Sequence, residues 1–509
     1  SGKTAVLVER IKELVLDKKH PVDIDHLLVV TFTNAAAAQM KERVAKALEK
    51  ALQENPSDVR LQQQAALVQN AQITTIDSFC LYVLRNHFHE IGLEPNFRIG
   101  DEGELKLLRE DVMTGLFEQC YEEKHPGFLH LISCYGTSRS DAPVRDMIFK
   151  LYSYAQSYPW PKQWLREALS CYEIKTEQEL EQAPFIEMTV EYGKQMVKGY
   201  LEQAEHYHEL CQDVDGPYMY EEACEQDVEL MEELLSCSTY QDFYEELGKC
   251  KFATLGRTKD YIGSPEKQEQ VKTERKKLKD GIGKLKSDCF ALTFREILEQ
   301  LTLVQPSAEA LAEVTERFID AFAERKQDKN LVDFSDLEHF ALEILVEEET
   351  GKPTETAKEF QNAYEEIMID EYQDSNYVQE TILRAISREA VGQNNLFMVG
   401  DVKQSIYRFR LARPELFMEK FDTYETTDAP CQRIDLHKNF RSRDTVLTFT
   451  NDIFYRIMKR NLGGVDYTDE AALYCGADYP AGEKEDAFDS EILLTTTQEL
   501  EEGTKQQIS

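Results

Sequence analysis

The chain has 509 residues, of which 42% are hydrophobic and 30% are charged, so it can bury at least two cores. This composition excludes a small disulfide-stapled peptide and a wholly disordered or fibrous chain. The net charge of −37 has the wrong sign for a protein that coats nucleic acid indiscriminately, so any DNA contact must be a local site.

The sequence carries no signal for secretion or for a membrane. No window approaches the 18 or more apolar residues of a membrane span, and the N-terminus does not resemble a signal peptide. The eleven cysteines form no C-x-x-C pair, so reduced thiols are the default. We therefore expect a cytoplasmic protein that makes no membrane contact.

Helices and strands alternate through the first ninety residues. The chain opens at Ser1 and runs directly into Gly2, Lys3 and Thr4, which predicts a fragment that begins inside a motif. The apolar periodicity and the β-branched runs predict a helix over 5–16, a buried parallel strand at 27–33, a helix over 35–53, a short strand at 73–76 and a helix over 79–88.

The texture changes between about residues 100 and 328. Long helical periodicities run through this region, with breaks near 158–161 and 216–217, so we interpret it as an inserted helical domain. Residues 201–248 carry fifteen acidic and no basic side chains, whereas 251–286 carry eleven basic and five acidic ones. The basic stretch predicts the side nearer a DNA path, and the alternative is that both stretches are solvated helix faces.

The α/β pattern returns in the last third of the chain. Apolar strands are predicted at 367–370 and 396–400, with a helix between them, and each leads directly into acidic residues. A further strand at 432–436 is followed by a helix that extends to about residue 460. This last pair predicts the opening of a second α/β domain.

Two short strings carry the chemistry of ATP hydrolysis. Residues 1–4 match the end of a P-loop, in which the lysine neutralises phosphates and the hydroxyl ligates Mg²⁺, although a bare Gly-Lys-Thr also occurs by chance. Asp370 and Glu371 follow a buried strand, where Asp370 would hold Mg²⁺ and Glu371 would activate the attacking water. The alternative is a strand end capped by exposed acids.

Residues 370–374, DEYQD, resemble the DExx box of superfamily 1 helicases of the UvrD/Rep/PcrA type. With the P-loop remnant, six motifs in the right order identify the chain as a member of this family. The strings LVDFSDLEH at 331–339 and NLFMVGDVKQ at 395–404 are most similar to its AddA branch of helicase–nuclease subunits. The other matching segments are 31–37 for motif Ia, 75–79 for Ib, 400–410 for III and 439–442 for IV.

The resemblance implies an α/β fold in which a RecA-like P-loop sheet domain carries a large, all-helical insertion and leads into a second RecA-like domain. The expected divisions are 1–99 with 329–425 for the first ATPase domain, 100–328 for the helical insertion, and 426–509 for the incomplete second domain. Several family features are absent, namely the first P-loop glycine, the upstream adenine-reading glutamine, motifs V and VI, and the nuclease domain. Asp77 stands where relatives often carry histidine.

The resemblance also assigns roles around ATP and Mg²⁺. Gln404 would sense the γ-phosphate, Arg441 would act as an arginine finger, and Phe440 would pack on the adenine. The alternative for Arg441 is a solvent-facing residue at a helix start. Ser1, Gly2, Lys3 and Thr4 complete the implied ATP site, with Thr4 and Asp370 as the metal ligands and Lys3, Asp370, Glu371, Gln404 and Arg441 as the catalytic set.

A second set of residues is implied to bind single-stranded DNA. Phe32, Tyr407 and Phe409 would stack on bases without reading their sequence, unless they are ordinary core aromatics. Basic and aromatic residues alternate through 407–410, which suits such a track. The polar contacts to the strand are implied for Thr33, Asn34, Thr75, Ser78 and Arg410.

The implied function is an ATP-dependent 3′ to 5′ DNA helicase and translocase that processes double-strand breaks for recombinational repair. Its implied partners are single-stranded DNA, duplex DNA ends and an AddB-type subunit in a heterodimer. Two alternatives stay open: a repair helicase of the UvrD type without a nuclease, and a catalytically silent scaffold for such a partner. Retention of Lys3, Asp370, Glu371, Gln404 and Arg441 argues against the silent scaffold.

Overall fold

The computed structural model divides the chain into two compact units. The first, here called the sheet unit, comprises Ser1–Lys106, Gln156–Trp160 and Lys326–Ser509. The second, the helical unit, comprises Leu107–Ala155 and Pro161–Arg325. The structure describes residues 2–137, 140–257, 261–460, 465–480 and 490–491.

A four-stranded parallel sheet is the centre of the sheet unit. Its strand order is β2-β1-β5-β6, and two further pairs of short strands, β3 with β4 and β7 with β8, are also parallel. The strands, numbered along the chain, are β1 Leu27–Thr31, β2 Gln72–Thr75, β3 Arg98–Ile99, β4 Leu331–Val332, β5 Glu366–Ile369, β6 Leu396–Met398, β7 Lys438–Asn439 and β8 Tyr474–Cys475.

Both faces of the sheet are covered, which explains why β1 is apolar at nearly every position. Leu28 and Val30 face one core, whereas Leu27 and Val29 face the other, as the alternation of strand side chains requires. The helices of this unit are α1 Lys3–Leu16, α2 Asn34–Glu54, α3 Val59–Leu67, α4 Ile76–His87, α15 Phe334–Leu345, α16 Glu355–Ala363, α17 Tyr377–Ala385, α18 Pro414–Thr423 and α19 Asp444–Ile457.

The chain between β3 and β4 is helical. Its main core lies among α10 to α13 and includes the fully buried rings of Tyr207, Phe243 and Phe290. The helices are α5 Glu102–Glu122, α6 Pro126–Tyr135, α7 Ala142–Ala155, α8 Pro161–Leu169, α9 Glu177–Glu181, α10 Pro184–Gln212, α11 Glu221–Ser236, α12 Tyr240–Lys249, α13 Pro265–Cys289 and α14 Phe294–Asp328.

The acidic and basic stretches of the sequence meet inside this helical core. Arg275 on α13 and Asp227 on α11 are 3% and 1% exposed and form a bidentate ion pair, with Arg275 Nη2 to Asp227 Oδ1 at 2.9 Å. The Tyr207 hydroxyl donates to the same carboxylate at 2.8 Å. Arg275 is therefore an internal residue and not part of a DNA-facing basic surface.

All eleven cysteines are free thiols. Cys211 and Cys224 are buried between α10 and α11, with their sulfur atoms 3.7 Å apart. Among the described residues, no helix combines the length and the apolar character that crossing a bilayer requires.

The predicted strand at 432–436 is wrong. This segment is extended but makes a single isolated bridge, between Gln432 and Glu425, and Ile434 and Leu436 are exposed. No described neighbouring strand offers it a ladder, so its alternating pattern has nothing to pair with. The strand instead forms two residues later, at Lys438–Asn439.

The predicted strand at 27–33 ends two residues early, at Thr31, because Thr33 caps the next helix. The Thr33 side chain accepts from the Ala36 N–H at 3.1 Å, which satisfies an otherwise unpaired donor at the start of α2. The observed architecture, a parallel sheet covered by helices with a large helical segment inserted, matches the predicted α/β class.

Candidate nucleotide and strand-binding site

The four parallel strands end at one edge of the sheet, and this edge collects the sequence motifs. Phe32 follows β1, Thr75 ends β2, Asp370 follows β5, and Asp401 lies shortly after β6. Ligand sites of open α/β sheets lie at this carboxyl edge. The parallel topology therefore brings together motifs that are up to 370 residues apart in the chain.

Lys3 and Glu371 form the ion pair at the centre of the site. Lys3 is the first residue of α1, and its Nζ donates to Glu371 Oε2. The adjacent Thr4 hydroxyl makes a hydrogen bond with Asp370, whose side chain is buried. The start of α1 is thereby joined to the acid pair that follows β5.

The pKa values of two carboxyl groups are raised in this site. Burial and the neighbouring Glu371 charge raise the pKa of Asp370, while Lys3 and the Thr4 hydroxyl oppose the rise. Burial, followed by the same Glu371 charge, raises the pKa of Asp374 to about 6. The site therefore concentrates negative charge that a cation would stabilise.

Glu371 has left-handed backbone angles, with φ 52° and ψ 44°. Such a conformation is costly for a residue with a side chain and persists only where its surroundings enforce it. Here the following Tyr372 is anchored, because its hydroxyl donates to Glu380 at 2.7 Å and Glu380 is paired with Lys420 at 2.7 Å. These contacts hold the turn that directs Glu371 towards Lys3.

Gln404 lies in a short 3₁₀ turn at Val402–Gln404, which Asp401 caps. The Asp401 carboxylate accepts from the Lys403 N–H at 3.1 Å and from Gln404 Nε2 at 2.9 Å. Gln404 is exposed and lines, together with Lys3, Thr4, Glu371 and Arg441, a cavity of about 800 Å³. The structure thus brings five of the predicted nucleotide-site residues to one cavity.

Arg441 and Phe440 differ in position. The exposed Arg441 lines the cavity, and its backbone N–H donates to Asn439 Oδ1 at 2.9 Å. Phe440 is not among the cavity-lining residues, and its ring lies so close to Gly476 that a β-carbon there would approach it to 2.7 Å. The structure therefore does not bring Phe440 to the predicted adenine position.

Aromatic side chains lie at the same edge of the sheet. The rings of Phe32 and Tyr407 are 4.7 Å apart between centroids, and those of Tyr407 and Phe409 are 5.8 Å apart. Phe409 is 76% exposed, and Phe334, at the start of α15, is 60% exposed. Folding does not require burial of these two rings, so they are available to a ligand.

The predicted polar strand contacts fall into two groups. Thr33 and Asn34 are exposed at the start of α2. Thr75 is buried and caps α4, with its hydroxyl 2.9 Å from the Ser78 hydroxyl, so it positions Ser78. Gly2 caps α1 and lines the cavity, whereas Ser1 and the Arg410 side chain lie outside the described residues.

The donor set fits Mg²⁺ bound together with a nucleotide. The Thr4 hydroxyl and the Asp370 carboxylate are oxygen ligands of the kind that Mg²⁺ prefers, and Lys3 and Arg441 are cations suited to phosphate. No group of three or more His, Cys, Asp or Glu side chains among the described residues could hold a metal alone. Such a site is typical of Mg²⁺ that is held in part by substrate phosphates.

Sequence reasoning passed over Gln373 and Asp401, which the structure places inside the site. Gln373 donates to Glu371 at 2.9 Å, and the Asp401 N–H donates to Gln373 at 2.9 Å. Their signal is the position of each beside a predicted functional residue in a buried, polar string. A polar residue in such a string must find a partner, which is a reason to assign it a contact.

A parallel α/β sheet with a lysine at a helix start, facing an acid pair after the neighbouring strand, defines a P-loop nucleotide hydrolase of RecA-like fold. The model of the UvrD/REP helicase N-terminal domain matches residues 1–425. The chain belongs to this helicase family, which confirms the family that its motifs indicate.

The similar curated proteins are named as ATP-dependent helicase/nuclease subunits of the AddA type. The protein from Lachnoclostridium phytofermentans is 45% identical over 94% of this chain, which is 35% of its own length. The one from Bacillus pumilus is 40% identical over 100% of this chain and 42% of its own length. The chain thus spans well under half the length of these relatives.

Proposed function

We propose that this chain binds and hydrolyses MgATP and converts the hydrolysis into movement along single-stranded DNA. The observation that carries this proposal is a single loop, residues 401–413, which holds Gln404 at the nucleotide cavity and Tyr407 against Phe32. One short segment can therefore respond to both ligands. The helicase family of the chain supports the same conclusion.

The hydrolysis step follows from the ion pair at the site. The phosphates of ATP compete with Glu371 for Lys3, and release from the lysine leaves Glu371 able to accept a proton from the attacking water. Thr4 and Asp370 would hold Mg²⁺, which neutralises charge that develops on the phosphates. Arg441, which is exposed at the cavity, would stabilise the same charge from the opposite side.

Strand binding would use the aromatic rings and the hydroxyl groups at the carboxyl edge. Bases would stack on Phe32, Tyr407, Phe409 and the exposed Phe334, which suits a strand of any sequence. Thr33, Asn34 and Ser78 would donate to phosphates. With bases held on one side of the 401–413 loop and ATP on the other, each hydrolysis cycle would change the grip on the strand.

The proposed wider role is that of the helicase–nuclease subunits after which the relatives are named. It comprises 3′ to 5′ movement on the strands of double-strand breaks in the cytoplasm, in a heterodimer with an AddB-type subunit. The division of the chain into an ATPase domain of 1–99 with 329–425, a helical insertion of 100–328 and a second RecA-like domain from 426 belongs to the same proposal. A repair helicase without a nuclease has the same motor chemistry but lacks the nuclease partner.

The test is ATP hydrolysis by the full-length protein with and without single-stranded DNA. We expect saturable stimulation by DNA and a loss of about 10²- to 10⁴-fold in kcat for Glu371→Gln, because a general base is removed. Binding of a non-hydrolysable ATP analogue should be retained by this variant. Glu359→Gln, which neutralises an exposed acid on α16, is the matched control.

Two results would contradict the proposal. If Glu371→Gln hydrolyses ATP within about threefold of the parent, Glu371 is not the base. If the parent binds ATP but DNA leaves its turnover unchanged, the chain is not a DNA-driven motor and the silent-scaffold alternative gains support.

A further inference from the structure

The Gln373 side chain lies at the junction between the acid pair and the 401–413 loop. It is 1% exposed and belongs to the 3₁₀ turn Tyr372–Asp374. Its Nε2 donates to Glu371 Oε2 at 2.9 Å and to Asp374 Oδ2 at 3.3 Å. Its Oε1 accepts from the Asp401 N–H at 2.9 Å.

Only a side chain with both a donor and an acceptor can make this set of contacts. The two carboxylates accept hydrogen bonds, so they require the NH₂ group, and the Asp401 N–H donates, so it requires the carbonyl oxygen. The chemistry of its partners therefore fixes the orientation of the amide. A carboxylate at this position would keep the contact with Asp401 but would repel Glu371 and Asp374.

The 401–413 loop is fastened to this turn at both ends. Its first residue donates its N–H to the Gln373 side chain, and the Arg413 N–H donates to the Ser375 carbonyl at 2.9 Å. Gly400, just before the loop, allows the close approach, because a β-carbon there would lie 2.7 Å from both Gln373 Oε1 and the Phe417 ring. A displacement of the turn is thus passed directly to the loop.

We propose that Gln373 is a positioning residue that couples the Glu371 carboxylate to the 401–413 loop. When phosphate draws Lys3 away, the Gln373 amide keeps hold of Glu371, and its other end holds the loop that carries Tyr407 and Phe409. A strand stacked on these rings then sets the position of the base. This inference rests on the proposed function, because it explains how DNA would stimulate ATP hydrolysis.

The test compares the full-length parent with Gln373→Met and Gln373→Glu, using an oligo(dT) strand. Methionine has a similar volume but lacks the amide donor and acceptor, whereas glutamate keeps only the contact with Asp401. Both variants should reduce the stimulation factor, which is the ratio of kcat with DNA to kcat without it, at least about tenfold, since a hydrogen bond to a charged group is lost. The KM for ATP and the nucleotide-free Kd for oligo(dT) should stay within about twofold.

The controls separate coupling from folding. Gln393→Met and Gln393→Glu make the same changes at an exposed loop position and should leave the stimulation factor unchanged. A parent-like stimulation factor in Gln373→Met would overturn the inference. So would a joint loss of ATP binding, oligo(dT) binding and thermal stability in both Gln373 variants, because that pattern indicates a purely structural residue.

The same experiment distinguishes this inference from the proposed function. A parent that DNA does not stimulate would overturn the proposed function and the coupling together. A stimulated parent whose Gln373 variants are equally stimulated would overturn the coupling alone.

Discussion

Phe409 combines high exposure with a place beside Tyr407 and Phe32, which makes it a clean probe of strand binding. Replacement by alanine should leave stability unchanged, because the ring is 76% exposed. Base stacking is worth about 1–3 kcal/mol, so Phe409→Ala should weaken the Kd for single-stranded DNA by roughly 5- to 150-fold. Fluorescence anisotropy with labelled oligonucleotides of two unrelated sequences measures this effect.

The matched control for Phe409 is Tyr218→Ala, which removes a 62% exposed ring from the helical unit. It should leave the Kd unchanged. Equal affinities for the parent and Phe409→Ala would remove this ring from the strand-binding surface, and a large effect with only one of the two sequences would contradict stacking as its mode of action.

Asp77 carries a second residue-scale prediction, through its titration. Burial and the nearby Glu338 carboxylate raise the pKa of Asp77 to about 6, whereas an unfolded aspartate has a pKa of about 3.9. The folded state therefore binds the proton more tightly. The Asp77 contribution to the free energy of unfolding falls as the pH rises from about 4 through about 6, and then stays constant.

Asp77→Asn removes this penalty and should stabilise the protein. The gain should be larger at pH 8 than at pH 5.5 by about 0.5–1 kcal/mol, as measured by urea unfolding at the two pH values. The exposed Asp111→Asn should show no such difference. A gain that shrinks with rising pH would show that Asp77 is stabilised as a carboxylate.

At the scale of elements, the ion pair between Arg275 and Asp227 joins α13 to α11 inside the helical unit. Arg275→Met leaves the Asp227 charge buried without its cation, which costs about 3–5 kcal/mol. The double variant Arg275→Met with Asp227→Leu should recover most of this loss, because both charges are gone. Unfolding followed by circular dichroism measures the three free energies.

A surface ion pair provides the contrast. Arg295 and Glu299 on α14 are 82% and 61% exposed, so Arg295→Met should change the free energy of unfolding by no more than about 0.5 kcal/mol. If Arg275→Met were equally mild, the buried pair would contribute little to holding α11 and α13 together.

Periodicity predicts the central elements well because burial on both faces leaves a local signature. The apolar runs of β1 and β5 and the periodic pattern of α1 can be read directly from the sequence, and each prediction is confirmed to within a few residues. The strand at 432–436 could not be predicted correctly, since a strand exists only where a neighbour supplies hydrogen bonds. That neighbour is a property of the tertiary structure.

The candidate site shows the same division. Motif spacing indicates Lys3, Asp370 and Glu371, because their chemistry depends on residue types at strand and helix ends. It does not show that Gln373 holds Glu371, since an amide between acids has no periodic signature. Nor does charge counting show that Arg275 is internal, because its partner Asp227 lies 48 residues away in the chain.

For the whole molecule, the net charge of −37 sets the terms of DNA binding. Long-range repulsion opposes a phosphate backbone, so attraction must come from local cations and from stacking, which salt screens little. This balance favours a grip that can be made and released during stepping. It also makes movement, more than static affinity, the property that the proposed motor should display.

Directional movement is the central claim, and displacement of streptavidin from biotinylated single strands tests it directly. With the full-length protein and ATP, 3′ to 5′ movement should clear streptavidin from the 5′ end of the strand much faster than from the 3′ end. Glu371→Gln should clear neither end. Equal clearance from both ends, faster clearance from the 3′ end, or none at all by an ATP-hydrolysing parent would contradict the account.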